Sequence, residues 1–162
     1  MQRYLVAINY DGPHDRLAAE LRALALGDDA QFHIVVPAVA RGSADSEGQQ
    51  RAAARQLLDS IESALDDMPG IDGEVGDANL FAAIVDELNR RPHDVLVIAT
   101  PVIGENERER LVDHVVRLYG LPVISLMIPG SEWLQRHPLR RDARRAGRAM
   151  RDQVSLGVLR WQ

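Results

Sequence analysis

Residues 93–129 decide the fold. His93-Asp94-Val95-Leu96-Val97-Ile98-Ala99-Thr100-Pro101 is an apolar run that stops at a turn. Residues 102–106 read as a loop and residues 107–119 as a helix. Gly120-Leu121-Pro122-Val123-Ile124-Ser125-Leu126-Met127-Ile128-Pro129 is a second apolar run. A strand, loop, helix and strand of this length form one right-handed crossover of a parallel sheet. In such sheets a ligand sits outside the carboxyl ends of the strands. The loop after Thr100 is therefore where a function should show, and it is a Glu/Arg-rich segment with a single glycine, Gly104.

The rest of the chain repeats the same alternation. Arg3 to Asn9 is a short apolar run ending in the turn cluster Tyr10-Asp11-Gly12-Pro13. Leu17, Ala18, Leu21, Leu24 and Ala25 share one helical face, and Gly27 stops that helix. Gln31 to Val39 is a second strand. Residues 40–50 are polar and predict a mobile loop or frayed helix start. Leu57, Leu58, Ile61, Ala64, Leu65 and Met68 mark a second amphipathic helix, stopped by Pro69-Gly70. Residues 71–76 supply only a short strand, expected near an edge. Asp77 or Asn79 can cap a third helix carrying Leu80, Ala83, Ile84 and Leu88. The strands are continuous apolar runs, so both faces of the sheet are covered. The expected fold is a doubly wound α/β layer of five parallel strands, in the order 3-2-1-4-5 or its flavodoxin-like relative.

Composition removes several chemistries. The chain of 162 residues has no cysteine, which excludes disulfides, thiolate zinc sites and cysteine nucleophiles. That fits a reducing, cytoplasmic setting. All 19 basic residues are arginine. Without lysine there is no P-loop lysine, no Schiff base and no pyridoxal-phosphate attachment. No stretch reaches the ~18 consecutive apolar residues that span a bilayer. The sequence runs directly into a strand, so no signal peptide is expected. Charge is uneven: residues 1–135 hold 11 of the arginines and 22 of the 24 acids, and the remaining residues are strongly basic.

Four stretches in order resemble the universal stress protein family over roughly residues 3–129. Leu5-Val6-Ala7-Ile8-Asn9-Tyr10-Asp11-Gly12 is similar to that family's first strand, which ends in Asp-Gly. Phe32-His33-Ile34-Val35-Val36-Pro37 is similar to its second strand. Gly76-Asp77-Ala78, followed by Ala82-Ala83-Ile84-Val85, is similar to its Gly-Asp-Pro lead-in to the third helix. Asp94 to Ile98, with Pro122-Val123-Ile124, resembles its last two strands. The resemblance implies a nucleotide crevice, vestigial here, at Asn9, Asp11, Val36, Thr100, Gly104 and Arg108.

The ATP-binding branch of that family has Gly-x-x-Gly, nine residues, then Gly-Ser or Gly-Thr after strand four. Such glycines let backbone N–H groups approach phosphates at a helix N-terminus. Here the loop supplies only Gly104, is several residues too short, and has Glu109-Arg110 where Gly-Ser would fall. Glu105, Glu107 and Glu109 crowd the phosphate position. Each carboxylate costs roughly 1 kcal/mol against a phosphate at ~4 Å in water. The alternative role for acids there is to complement the helix dipole. The phosphate site therefore reads as lost, and neither ATP nor another cofactor is expected. Asn9 and Asp11 compete for the place of the family's strand-one aspartate. Thr100 is either a ligand donor or a turn-capping hydroxyl. Arg108 and Arg110 are candidates to hold an anion, or are solvated helix arginines.

The five histidines, His14, His33, His93, His114 and His137, show no ligand spacing, so no metal site is expected. A phosphoacceptor receiver is excluded because its mechanism needs a lysine after the fifth strand. Pro138 opens a basic amphipathic stretch in which Leu139, Ala143, Ala146, Met150 and Val154 lie among arginines. Residues 1–132 thus read as the α/β domain and 133–162 as a basic extension. Members of the resembled family commonly pair through the fifth strand. The expected partner is a second copy of the chain, joined through strand 123–128 and the extension. Nucleic acid is not expected, because no aromatic residue interrupts the arginines.

The implied function is a non-enzymatic, dimeric binding or regulatory protein of the stress-response class with a degenerate nucleotide site. One alternative is a nucleotide-binding protein or weak ATPase that uses Asp11, Thr100, Gly104 and Arg108 differently. Another is an accessory protein that binds nucleic acid or another anionic partner through the Arg-rich extension.

Overall fold

A computed structural model describes residues 1–10, 14–26, 29–39, 46–100 and 105–128, with only the backbone of 105–108. The proposed extension at 133–162, Asp11 and Gly104 lie outside the described residues.

The elements are β1 (Gln2–Ile8), α1 (His14–Leu24), β2 (Ala30–Pro37), α2 (Glu47–Ala64), β3 (Ile71–Gly76), α3 (Leu80–Arg90), β4 (Val95–Thr100), α4 (Glu105–Tyr119) and β5 (Val123–Met127). The five strands form one sheet in the order β3-β2-β1-β4-β5, and every pairing is parallel. This is the doubly wound α/β fold expected from the alternation, in its 3-2-1-4-5 order. The short strand at 71–76 is an edge, as its length implied.

Strand alternation sorts the core into two layers. Tyr4, Val6 and Ile8 of β1 pack with Leu17 and Leu21 of α1 and Leu58 and Ile61 of α2. Leu5 and Ala7 point to the other face, where they meet Ala83 and Ile84 of α3 and Val115 of α4. Two helices thus cover each face, and β1 and β4 are buried throughout most of their length. No helix among the described residues is long and apolar enough to cross a membrane.

Several boundaries differ from the sequence reading, each for a local reason. The second helix begins at Glu47, inside the stretch read as a loop or frayed start. Ser46 caps it: its Oγ accepts from the Gln49 N–H at 3.3 Å, and Gln49 Oε1 accepts from the Ser46 N–H at 2.8 Å. This reciprocal pair satisfies two donors that a helix start leaves open. The same helix ends at Ala64, so Leu65 and Met68 lie beyond it, in a turn closed by the Met68 N–H on the Leu65 carbonyl. Gly70, at φ +76°, then turns the chain into β3. The fourth helix starts at Glu105, two residues early. The fifth strand starts at Val123, because Gly120 (φ +63°) closes α4 through its N–H on the Val116 carbonyl.

Candidate functional site

The two ends of the sheet carry different chemistry. At the carboxyl end, β1 and β4 run side by side with Ile8 opposite Ala99. Asn9 follows β1, and its N–H donates to the Ala99 carbonyl at 3.0 Å. Thr100 closes β4. It is buried, and its Oγ1 has no hydrogen-bond partner among the described residues. Asn9 and Thr100 therefore stand together at the mouth of the crevice. Val36 lies near the carboxyl end of β2 but packs in the α1/α2 core layer. Of Arg108 only the backbone, within α4, is described.

The amino end of the sheet holds a cluster of ionisable side chains. His33 is the one polar break in the apolar run of β2. It pairs in register with Leu5 of β1 and Asp72 of β3, so its ring faces α3. Glu87 lies on the inward stripe of α3, three residues after Ile84, and is 0% exposed. His93 precedes β4, and its side chain is only 4% exposed.

Glu87 Oε1 is the centre of the cluster. His33 Nε2 and His93 Nε2 each lie 3.5 Å from it, and Arg91 Nε lies 3.4 Å from it. None of these contacts has hydrogen-bond geometry: among the described residues Glu87 Oε1, His33 Nε2 and both ring nitrogens of His93 have no hydrogen-bond partner. Glu87 Oε2 accepts from Arg90 Nη1 at 3.2 Å, and the same arginine nitrogen donates to Glu74 Oε1. His33 Nδ1 lies 2.8 Å from Asp72 Oδ1, while Arg91 Nη1 donates to Asp72 Oδ2 at 3.0 Å. Arg91 Nη1 also lies 3.4 Å from His33 Nδ1.

Burial pushes the His93 imidazole below its usual pKa, with Glu87 opposing that shift. For Asp72 burial acts upward, but His33 and Arg91 together hold the carboxylate below its ordinary value. His33, Glu74 and Glu87 each offer one donor atom, and these three atoms lie within 4.8 Å of one another. The arrangement can share protons among its imidazoles and carboxylates, or hold a cation.

Linear spacing concealed this cluster. His33 and His93 are far apart in sequence, yet their rings are 6.1 Å apart between centroids. Two signals were present in the sequence. Glu87 continues the helical stripe Leu80, Ala83, Ile84, and His33 interrupts a strand that is otherwise apolar from Phe32 to Val36. A charged residue on an apolar stripe requires partners, and the register of β2, β3 and β4 supplies them.

No protein-family model matches the chain, and no curated protein matches it.

Proposed function

We propose that the chain is a non-enzymatic, dimeric binding or regulatory protein of the universal-stress-protein type, acting in the cytoplasm, with a crevice that no longer holds a triphosphate. The observation that carries this reading is the position of α4. It opens at Glu105, so Glu105 and Glu107 occupy the first turn of the helix that follows β4. A helix N-terminus in that place favours phosphate through its free N–H groups and dipole, and acids there compete with the anion. The strand order and the pairing of Asn9 with the end of β4 also support it.

The dimer is assigned to the open edge of β5. Among the described residues β5 is bonded on one side only, to β4. Leu96 N–H donates to the Pro122 carbonyl, and Ile128 N–H donates to the Thr100 carbonyl. By the alternation of a parallel ladder, Val123, Ser125 and Met127 direct their N–H groups outward. Ser125→Pro removes one outward donor and spares the β4 pairing. Light scattering should give a dimer for the wild-type chain and a monomer for this variant. A monomeric wild-type chain would sink the assignment.

One observation favours a second reading, a nucleotide-binding protein. The buried hydroxyl of Thr100 has no partner among the described residues, and a ligand could supply one. The two readings differ on ATP affinity, which a titration separates.

A further inference from the structure

The cluster at the amino end of the sheet is independent of the crevice and of the family reading. We propose that His33, Glu87 and Glu74, with His93, form a binding site for a borderline divalent transition-metal ion of the zinc type.

Four observations on the described residues carry the assignment. First, Glu87 Oε1 and His33 Nε2 are buried atoms with no hydrogen-bond partner, and they face each other at 3.5 Å. His93 Nε2 stands at the same 3.5 Å from that oxygen, also without a hydrogen bond. A hydrogen bond would bring such atoms to about 2.8 Å. Tetrahedral ligands at about 2.0–2.1 Å from a zinc ion lie roughly 3.3 Å from one another, close to the spacing found. Second, a carboxylate oxygen of Glu74 joins His33 and Glu87 in a set whose donor atoms all lie within 4.8 Å of one another.

Third, His33 has its outer partner in place. Asp72 Oδ1, at 2.8 Å, is closer to Nδ1 than Arg91 Nη1 at 3.4 Å. Asp72 thus orients the ring through Nδ1, which leaves Nε2 toward Glu87 Oε1. Carboxylate–imidazole–metal relays are built this way. Nε2 and the carboxylate oxygen attract each other only when a proton or a metal cation lies between them. Fourth, Asp72, Glu74 and Glu87 outnumber Arg90 and Arg91 around the imidazoles, which leaves one excess negative charge for a cation.

The donor set names the class of ion. Imidazole together with carboxylate donors suits zinc and its first-row neighbours; magnesium and calcium select all-oxygen shells. Arg91 Nε, now 3.4 Å from Glu87 Oε1, is the internal competitor. Its side chain is 47% exposed, so it has solvent to turn into when a cation takes its place. With His33, Glu74 and Glu87 as the convergent set, His93 beside them and Glu87 fully buried, the site is structural. It ties α3 to β2, to β3 and to the start of β4.

The test uses the full chain, stripped with chelator and dialysed. Zinc chloride titrated by calorimetry should bind one ion per chain, with a Kd of about 1 μM or tighter, while magnesium chloride gives no saturable heat. His33→Gln and Glu87→Gln should each weaken zinc binding by about a hundredfold or more. Asp72→Asn, which leaves the proposed ligands themselves in place, should weaken it by about tenfold. His114→Gln, which alters a ring packed edge-on against Phe81, should leave it unchanged.

If Glu87→Gln does not fold, the wild-type chain still decides the matter. Zinc should shift the imidazole ¹⁵N resonances of His33 and His93 and leave those of His14, His114 and His137 in place. No saturable zinc binding, binding that survives His33→Gln, or shifts at the other three histidines would each overturn the proposal. The first of these results would assign the cluster to shared protons instead.

Discussion

Asp94 is held at the start of β4 by a single arginine. Its Oδ2 accepts from the Arg3 backbone N–H at 2.9 Å and from Arg3 Nε at 3.2 Å, and its Oδ1 accepts from Arg3 Nη2 at 3.0 Å. These charge-assisted bonds lower the Asp94 pKa to about 2. A carboxylate depressed in the folded state contributes stability that is fully present above its unfolded pKa, about 3.9. That contribution fades as pH falls through about 2. Asp94→Asn should therefore lower stability at neutral pH and flatten the acid limb between about pH 4 and pH 2, read by denaturant titration at each pH. An acid limb identical to that of the wild type would show that the pair contributes nothing. At this scale the sequence was only partly legible. An aspartate opening a strand is visible in the chain, but its arginine partner on β1 is known only once β1 and β4 are neighbours. The same holds for Glu87: Arg90 and Arg91 are its neighbours at the end of α3, but His33 and His93 reach it only in the folded chain.

The elements follow from periodicity, and their ends follow from caps that periodicity does not encode. The start of α2 rests on Ser46 and Gln49. Ser46→Ala removes the side-chain acceptor and should cost about 1 kcal/mol of unfolding free energy. A loss below a few tenths would show that water caps the helix as well. The packing of α2 on the sheet depends on Gly73 in β3. A Cβ added there would stand 2.6 Å from Leu58 Cδ1 and 2.8 Å from the Ile34 carbonyl oxygen. Gly73→Ala should therefore destabilise by about 1–3 kcal/mol through overpacking. A neutral substitution in urea denaturation would mean that α2 moves freely off β3. The sequence marks Gly73 only as a glycine in a weak strand. Its reason, a helix side chain lying close over the backbone, belongs to the packed state.

For the whole molecule, topology was the most legible property. Alternating strands and helices, with strands apolar along their length, leave few arrangements, and the observed order places β1 at the centre, between β2 and β4. Function was less legible because it depends on which side chains meet at the strand ends. The carboxyl end sets Asn9 against Ala99, the residue before Thr100. The amino end gathers His33, Glu87 and His93, which no motif announced. The central functional claim concerns the carboxyl end, where α4 opens on Glu105 and Glu107. ATP titrated by calorimetry into the full chain, with and without magnesium, tests that claim most directly. The expected result is no binding tighter than roughly 100 μM, equivalent to about −5.5 kcal/mol. Saturable one-to-one binding below that concentration, lost in Thr100→Val, would contradict it and establish the nucleotide-binding reading.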